Sequence, residues 1–173
     1  MNNSVPTTSI RVTTGLTLVL FATAVLCSDT ASTSQRQWKQ VEKAMGRSGQ
    51  MQPGDILRFG MPRTDLLVTL DGVQIKPGLA LGSYMAFKRY GSEAMVMGDL
   101  VLTEEEIEPV MMKLQEGGIK ESAIHNHLLG ESPRILYMHI ASHGDALQMA
   151  TAIHNALLLT KTPSSEATSA VQG

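Results

Sequence analysis

The sequence predicts an α+β fold: a single domain with a mixed sheet, a β-hairpin that carries most of the histidines, and about three packing helices. Three observations lead there. Apolar residues recur at helical spacing near both ends of residues 33–160. Short β-prone runs, broken by Gly, Pro and Asp-Gly signals, fill the part between. A strand–helix–strand step stands beside a hairpin, the combination that builds α+β domains with mixed sheets.

The elements follow in order. In "SQRQWKQVEKAMG", Trp38, Val41, Ala44 and Met45 share one helical face, and Gly46 can end the helix. "DILRF" and "DLLVTL" read as strands, and "LDGV" (Leu70 to Val73) carries the Asp-Gly signal of a tight hairpin turn into "VQI". "KPG" breaks the run at Lys76 to Gly78. "GSYMAFK" is a strand and "YGSE" a turn. "AMVMGDLVL" (Ala94 to Leu102) is almost continuously apolar, as an interior strand covered on both faces would be. Thr103 and Glu106 form a capping box, with Leu102 and Ile107 as a hydrophobic staple. Ile107, Val110, Met111 and Leu114 then keep helical spacing until Gly117 and Gly118. Pro109 removes one internal hydrogen bond and is expected to kink this helix or delay its start. "SAIHNHL", the turn "LGESP" and "RILYMHIA" form a hairpin. The last helix, "DALQMATAIHNALLL", is capped by Asp145 and turns Leu147, Ala150, Ile153 and Leu157 inward.

The ends of the chain are different in kind. Arg11, an apolar run from Gly15 to Cys27, and the small polar "SDTASTSQ" have the layout of a secretory signal. The run is 13 residues long, short for a membrane span. Residues 1–32 are therefore expected to be a signal peptide, with an uncleaved N-terminal anchor as the rival reading. Cys27, the only cysteine, raises lipid attachment, although Leu26 is bulky for that processing. One cysteine excludes an intramolecular disulfide. Residues 161–173 read as a disordered polar tail. A net charge of −2 over 173 residues makes nucleic acid a poor partner. With 7 Phe, Tyr and Trp in all against 11 Met, the core must be aliphatic and methionine-rich.

Histidine is the informative residue. Four of the five, His125, His127, His139 and His143, fall within "HNHLLGESPRILYMHIASH", and Glu131 sits among them. A hairpin centred near Ser132 sets His125 opposite His139 and His127 opposite Tyr137. One face then carries His125, His127, Tyr137 and His139; the other carries Ile124, Leu128, Leu136, Met138 and Ile140. A one-residue slip would separate His139 from His125, and the apolar pattern argues against it. Cross-strand Cβ atoms lie about 4.5–5.5 Å apart, so the three imidazoles can converge on one ion, with Glu131 as fourth ligand or general base. Such a set suits Zn²⁺ above all, or Fe²⁺, Mn²⁺ or Ni²⁺. His143 and Asp145 are candidates for an outer shell or a further ligand, and His143 for acid–base chemistry. "HNHLLGE" resembles the first metal motif of cupins in ligand chemistry, without the cupin fold. A solvated sheet face, and proton transfer by His125 or His139 without metal, are the competing readings.

The other candidates are plainer. His154 reads as a packing or surface residue. Met95 and Met97 read as core filler rather than soft-metal ligands. Asp99, inside the apolar strand, needs a partner such as Arg134 or must aim at the histidines. Arg58, Arg63 and Asp65 offer an anion pocket or, more simply, surface ion pairs.

"VTLDGVQIKPGLALGSYMAF", "MVMGDLVLTEEEIEPVM" and "GIKESAIHNHLLGESPRILYMHI" resemble the LppY/LpqO family of mycobacterial lipoproteins, over about Trp38 to Leu159. The family has no known function, so the resemblance implies no reaction. It implies an exported protein, periplasmic, extracellular or tethered to the membrane at its N-terminus, and strengthens lipidation at Cys27. Because some members carry two copies of the domain, it also implies a possible homodimer. The expectation is then an exported protein of unknown role that binds a divalent metal, with hydrolysis as the simplest reaction. The alternative is a non-catalytic envelope protein binding a small molecule.

Overall fold

The computed structural model describes Met1 and residues 35–164. The expectations about the signal segment, Cys27 and most of the polar tail lie outside the described residues. From Arg36 onward the chain forms one unit. Its elements are α1 (35–45), β1 (Gln50–Gln52), β2 (Ile56–Pro62), β3 (Thr69–Leu70), β4 (Val73–Gln74), the four-residue α2 (Pro77–Ala80), β5 (Gly82–Tyr90) and β6 (Glu93–Thr103). There follow α3 (Glu104–Glu116), β7 (Glu121–His125), β8 (Glu131–Ser132), β9 (Ile135–Gly144) and α4 (Ala146–Leu157). This is an α+β architecture.

Two sheets form, with orders β1-β2-β5-β6-β9-β7 and β4-β3-β8. Every pairing is antiparallel, where a mixed sheet was expected. The strand–helix–strand step β6–α3–β7 does exist, and its two strands do run parallel. They are not neighbours, however, because β9 lies between them and pairs antiparallel with both.

One face of the large sheet carries the main core. Phe59, Phe87, Val96, Leu100, Leu102, Met138 and Ile140 pack there against Trp38, Val41 and Met45 of α1, Val110 and Leu114 of α3, and Ala150 and Ile153 of α4. On α4 Leu147 is exposed, contrary to expectation, and Ala146 and Met149 take the buried positions. Asp145 caps this helix, its Oδ1 accepting from the Gln148 N–H at 2.8 Å. On α3 the Thr103 N–H donates to Glu106 Oε2 at 3.0 Å, the reach-back half of the capping box. Pro109 lies inside α3, which runs on to Glu116. The Asp-Gly turn is as read: Asp71 and Gly72 both have positive φ (50° and 80°), as a two-residue hairpin of the I′ kind requires.

β6 is not covered on both faces along its whole length. Its first half alternates, with Met97 half exposed, and only its second half is buried on both sides. The difference arises because the opposite face of the sheet is roofed only at one end. There Val68, Leu81, Val101, Ile135 and Tyr137 form a second, smaller core. The rest of that face is open. Gly98, paired with Met85, is needed for close strand packing, since a Cβ there would lie 2.5 Å from the Tyr84 carbonyl oxygen. Gly98→Ala is therefore expected to cost about 1–3 kcal/mol, read from the urea midpoint.

Arg63 is fully buried, which corrects the surface-pairing reading. It donates to both oxygens of Asp65 and both of Glu106, and its Nη1 also donates to the Val101 carbonyl. A guanidinium carries five donors, and a buried one must spend them on fixed acceptors.

Candidate metal centre

β7, the loop after it and β9 build the site on the open face. The register is His125 opposite Tyr137 and Ala123 opposite His139, with a bulge between Glu121 and Ala123. It is shifted by two residues from the expected hairpin. A shift of two preserves the faces, so His125, Tyr137 and His139 still point the same way. The shift arises because residues 126–134 do not make a simple turn. β7 ends at His125, and Glu131–Ser132 leave the large sheet to pair with β3. His127 therefore sits in a loop rather than on a strand. Its ring is held by stacking on Tyr137, with centroids 3.8 Å apart and planes 9° apart.

One ring nitrogen from each of His125, His127 and His139 lies within 4.8 Å of the other two. The two Nε2 atoms of His125 and His139 are 2.7 Å apart. The outer nitrogens of both rings face acceptors. His125 Nδ1 is 3.3 Å from the Asn126 carbonyl oxygen. His139 Nδ1 is 3.7 Å from Asp99 Oδ1. If each ring keeps its single proton on Nδ1 toward its acceptor, two Nε2 lone pairs point at each other. A cation between or beside the rings relieves that arrangement; a ring that carries its proton on Nε2 instead donates it to the other.

Asp99 stands opposite His139 in the β6–β9 ladder. Its Oδ1 is buried and accepts no hydrogen bond. Burial holds its carboxyl above the usual range, an effect that His139, His127 and His125 partly offset. Arg134, the partner expected from sequence, instead lies 3.5 Å from Glu104. Tyr137 is pushed up to about 12, by burial first and then by Asp99 and Glu131. Its hydroxyl donates to the Ala80 carbonyl at 2.8 Å. It is a fixed donor, not a base.

The structure places the remaining candidates elsewhere. Glu131 is not among the three converging side chains; its Oε1 accepts from the Ile135 N–H at 3.4 Å. His143 lies four residues beyond His139 on β9, and its Nδ1 is 3.5 Å from Glu93 Oε2. Asp145 is occupied as the α4 cap. His154 packs under Gly46, with its Nδ1 3.2 Å from the Met45 carbonyl oxygen. A cavity of about 420 Å³ opens beside the cluster, between α2 and the sheet, with His127, Tyr137 and Asp99 in its wall. Of the residues read as an anion pocket, Arg58 lines this cavity, whereas Arg63 and Asp65 do not. The rest of the wall comes from segments far apart in the chain, and the one further signal was Asp99, a carboxylate inside an apolar strand.

An α+β sheet with a histidine cluster on its open face defines the class. The chain belongs to the family described as Domain of Unknown Function (DUF1259), which it matches over residues 39–158. No curated protein and no solved structure matches it.

Proposed function

We propose that this is an exported protein that holds one divalent metal ion, Zn²⁺ in the first instance, through His125, His127 and His139, and uses it in a hydrolytic reaction. The observation that carries the reading is the convergence of His125, His127 and His139, with the Nε2 atoms of His125 and His139 2.7 Å apart. Two ligands of one tetrahedral ion sit about 3.3 Å apart, so metal entry parts these rings by roughly half an ångström. Asp99 is taken as the carboxylate that orients His139, in the manner of carboxylate–histidine–metal arrangements. Glu131, expected from sequence as fourth ligand or general base, is not among the converging side chains. Three imidazoles leave one position of a four-coordinate ion free, as catalytic rather than structural sites do. An ion held there supplies Lewis acidity. Hydrolysis needs no co-reactant but water. Export rests on the layout of residues 1–32 and on the resemblance to the LppY/LpqO lipoproteins.

The test is metal content. The full chain, purified without a histidine tag, is analysed by elemental mass spectrometry as isolated and after exposure to Zn²⁺, Fe²⁺, Mn²⁺ and Ni²⁺. About one equivalent of one metal is expected; none under any condition would sink the proposal. Asp99→Asn supplies a sharper check. It is expected to weaken metal binding about 10–100-fold while leaving the metal-free protein as stable or more so, since it removes a buried charge. A purely structural Asp99 would lose stability and leave metal affinity untouched.

A further inference from the structure

We infer that the cavity between α2 and the open sheet face binds a small organic anion, with one terminal carboxylate or phosphate held by Arg58. The far end of the ligand lies against His127 and Asp99. Only what happens at that far end depends on the metal reading above.

Arg58 lies on β2 and lines the cavity. Its guanidinium sits 3.9 Å over the Tyr84 ring, which fixes its direction without using its hydrogen-bond donors. No Asp or Glu pairs with it among the described residues. Arg63, by contrast, has two carboxylates. A planar fork of free donors at the edge of a cavity suits a carboxylate or phosphate, which it can hold through two parallel hydrogen bonds. Tyr84 pairs with Asp99 on one side and with Gly60 on the other, so Gly60 and Asp99, which both line the cavity, lie in one row of the sheet. Arg58 is two residues along β2 from Gly60. From strand spacings this puts Arg58 and Asp99 about 12 Å apart at Cα, with room for a short carbon skeleton between their side chains. Gly60 keeps the floor open, because a Cβ built there meets nothing within 4 Å. The volume, about 420 Å³, is at the small end of ligand pockets.

The experiment is calorimetric titration of the full chain with lactate, glycerol 3-phosphate and inorganic phosphate, with glycerol as the uncharged control. Wild type, Arg58→Gln and Gly60→Val are compared, and metal content and unfolding midpoint are measured on the same preparations. At least one anion is expected to bind and glycerol not to; the lactate and phosphate arms separate the two chemistries. Arg58→Gln is expected to weaken binding about tenfold or more, and Gly60→Val to abolish it by filling the floor. Both variants should keep wild-type metal content and midpoint. Absence of binding to any of the three anions, or equal binding by wild type and Arg58→Gln, overturns the inference. Binding indifferent to Arg58→Gln but lost in His127→Ala would put the anion on the metal, overturning the pocket and leaving the centre standing. Arg58-dependent binding by a chain that takes up no metal would support the pocket and overturn the centre.

Discussion

Replacing Arg63 by methionine is expected to destabilise the protein by about 3–5 kcal/mol, a large part of the 5–15 kcal/mol typical of a domain. Arg63 is fully buried, and the Asp65 and Glu106 side chains it joins are only 17% and 12% exposed. Methionine fills much of the same space but leaves two carboxylates and the Val101 carbonyl without their donor. The effect reaches further than one ion pair, since Glu106 also takes the Thr103 N–H at the start of α3. Arg63→Lys restores the charge but cannot bond two carboxylates side-on, so it should recover only part of the loss. Urea unfolding measures both variants. A change under 1 kcal/mol for Arg63→Met would show that the network is solvated and weak.

The second large effect is on the metal. His139→Ala and His125→Ala are each expected to reduce bound metal from about one equivalent to a trace, with the unfolding midpoint of the metal-free protein little changed. The expectation is strongest for His139, the ring that faces both Asp99 and His125. His127→Ala should be milder, because it removes the exposed, loop-borne ligand. Elemental analysis after dialysis separates the three. Retention of stoichiometric metal by both His125→Ala and His139→Ala would place any bound ion elsewhere.

Local features were legible in the sequence because their causes are local. Asp71-Gly72, the Thr103–Glu106 box and the Asp145 cap each rest on a few neighbouring residues, and each is found. The shared face of His125, Tyr137 and His139 was legible too, because alternation along a strand survives a shift of two residues. Long-range pairing was not. Nothing in "LGESP" says that Glu131 and Ser132 pair with Thr69 and Leu70 sixty residues earlier. That pairing takes Glu131 into a second sheet and His127 off its strand. Nor does the run of "RILYMHIA" say that β9 separates β6 from β7, which is why an antiparallel sheet read as a mixed one. Asp99 illustrates the middle case: its oddity was visible within its strand, but its partner depended on which strand lay beside it.

The position of β7 has a mechanical consequence. It is the last strand of the large sheet, five residues long, bulged, and largely exposed along its middle. His125 ends it and His127 follows it, whereas His139 belongs to the strand one place inward. An ion held by all three would act as a clasp across the weakest seam of the sheet. Chelation would then loosen residues 121–128 first, visible as faster amide exchange there while the helix-covered core stays protected. Once β7 peels away, β9 becomes the new border of the sheet and presents an unpaired ladder along Tyr137 to Ile140, which invites another chain to add its own strand. An ion held there would thus also guard the sheet border against strand addition, whatever its part in chemistry.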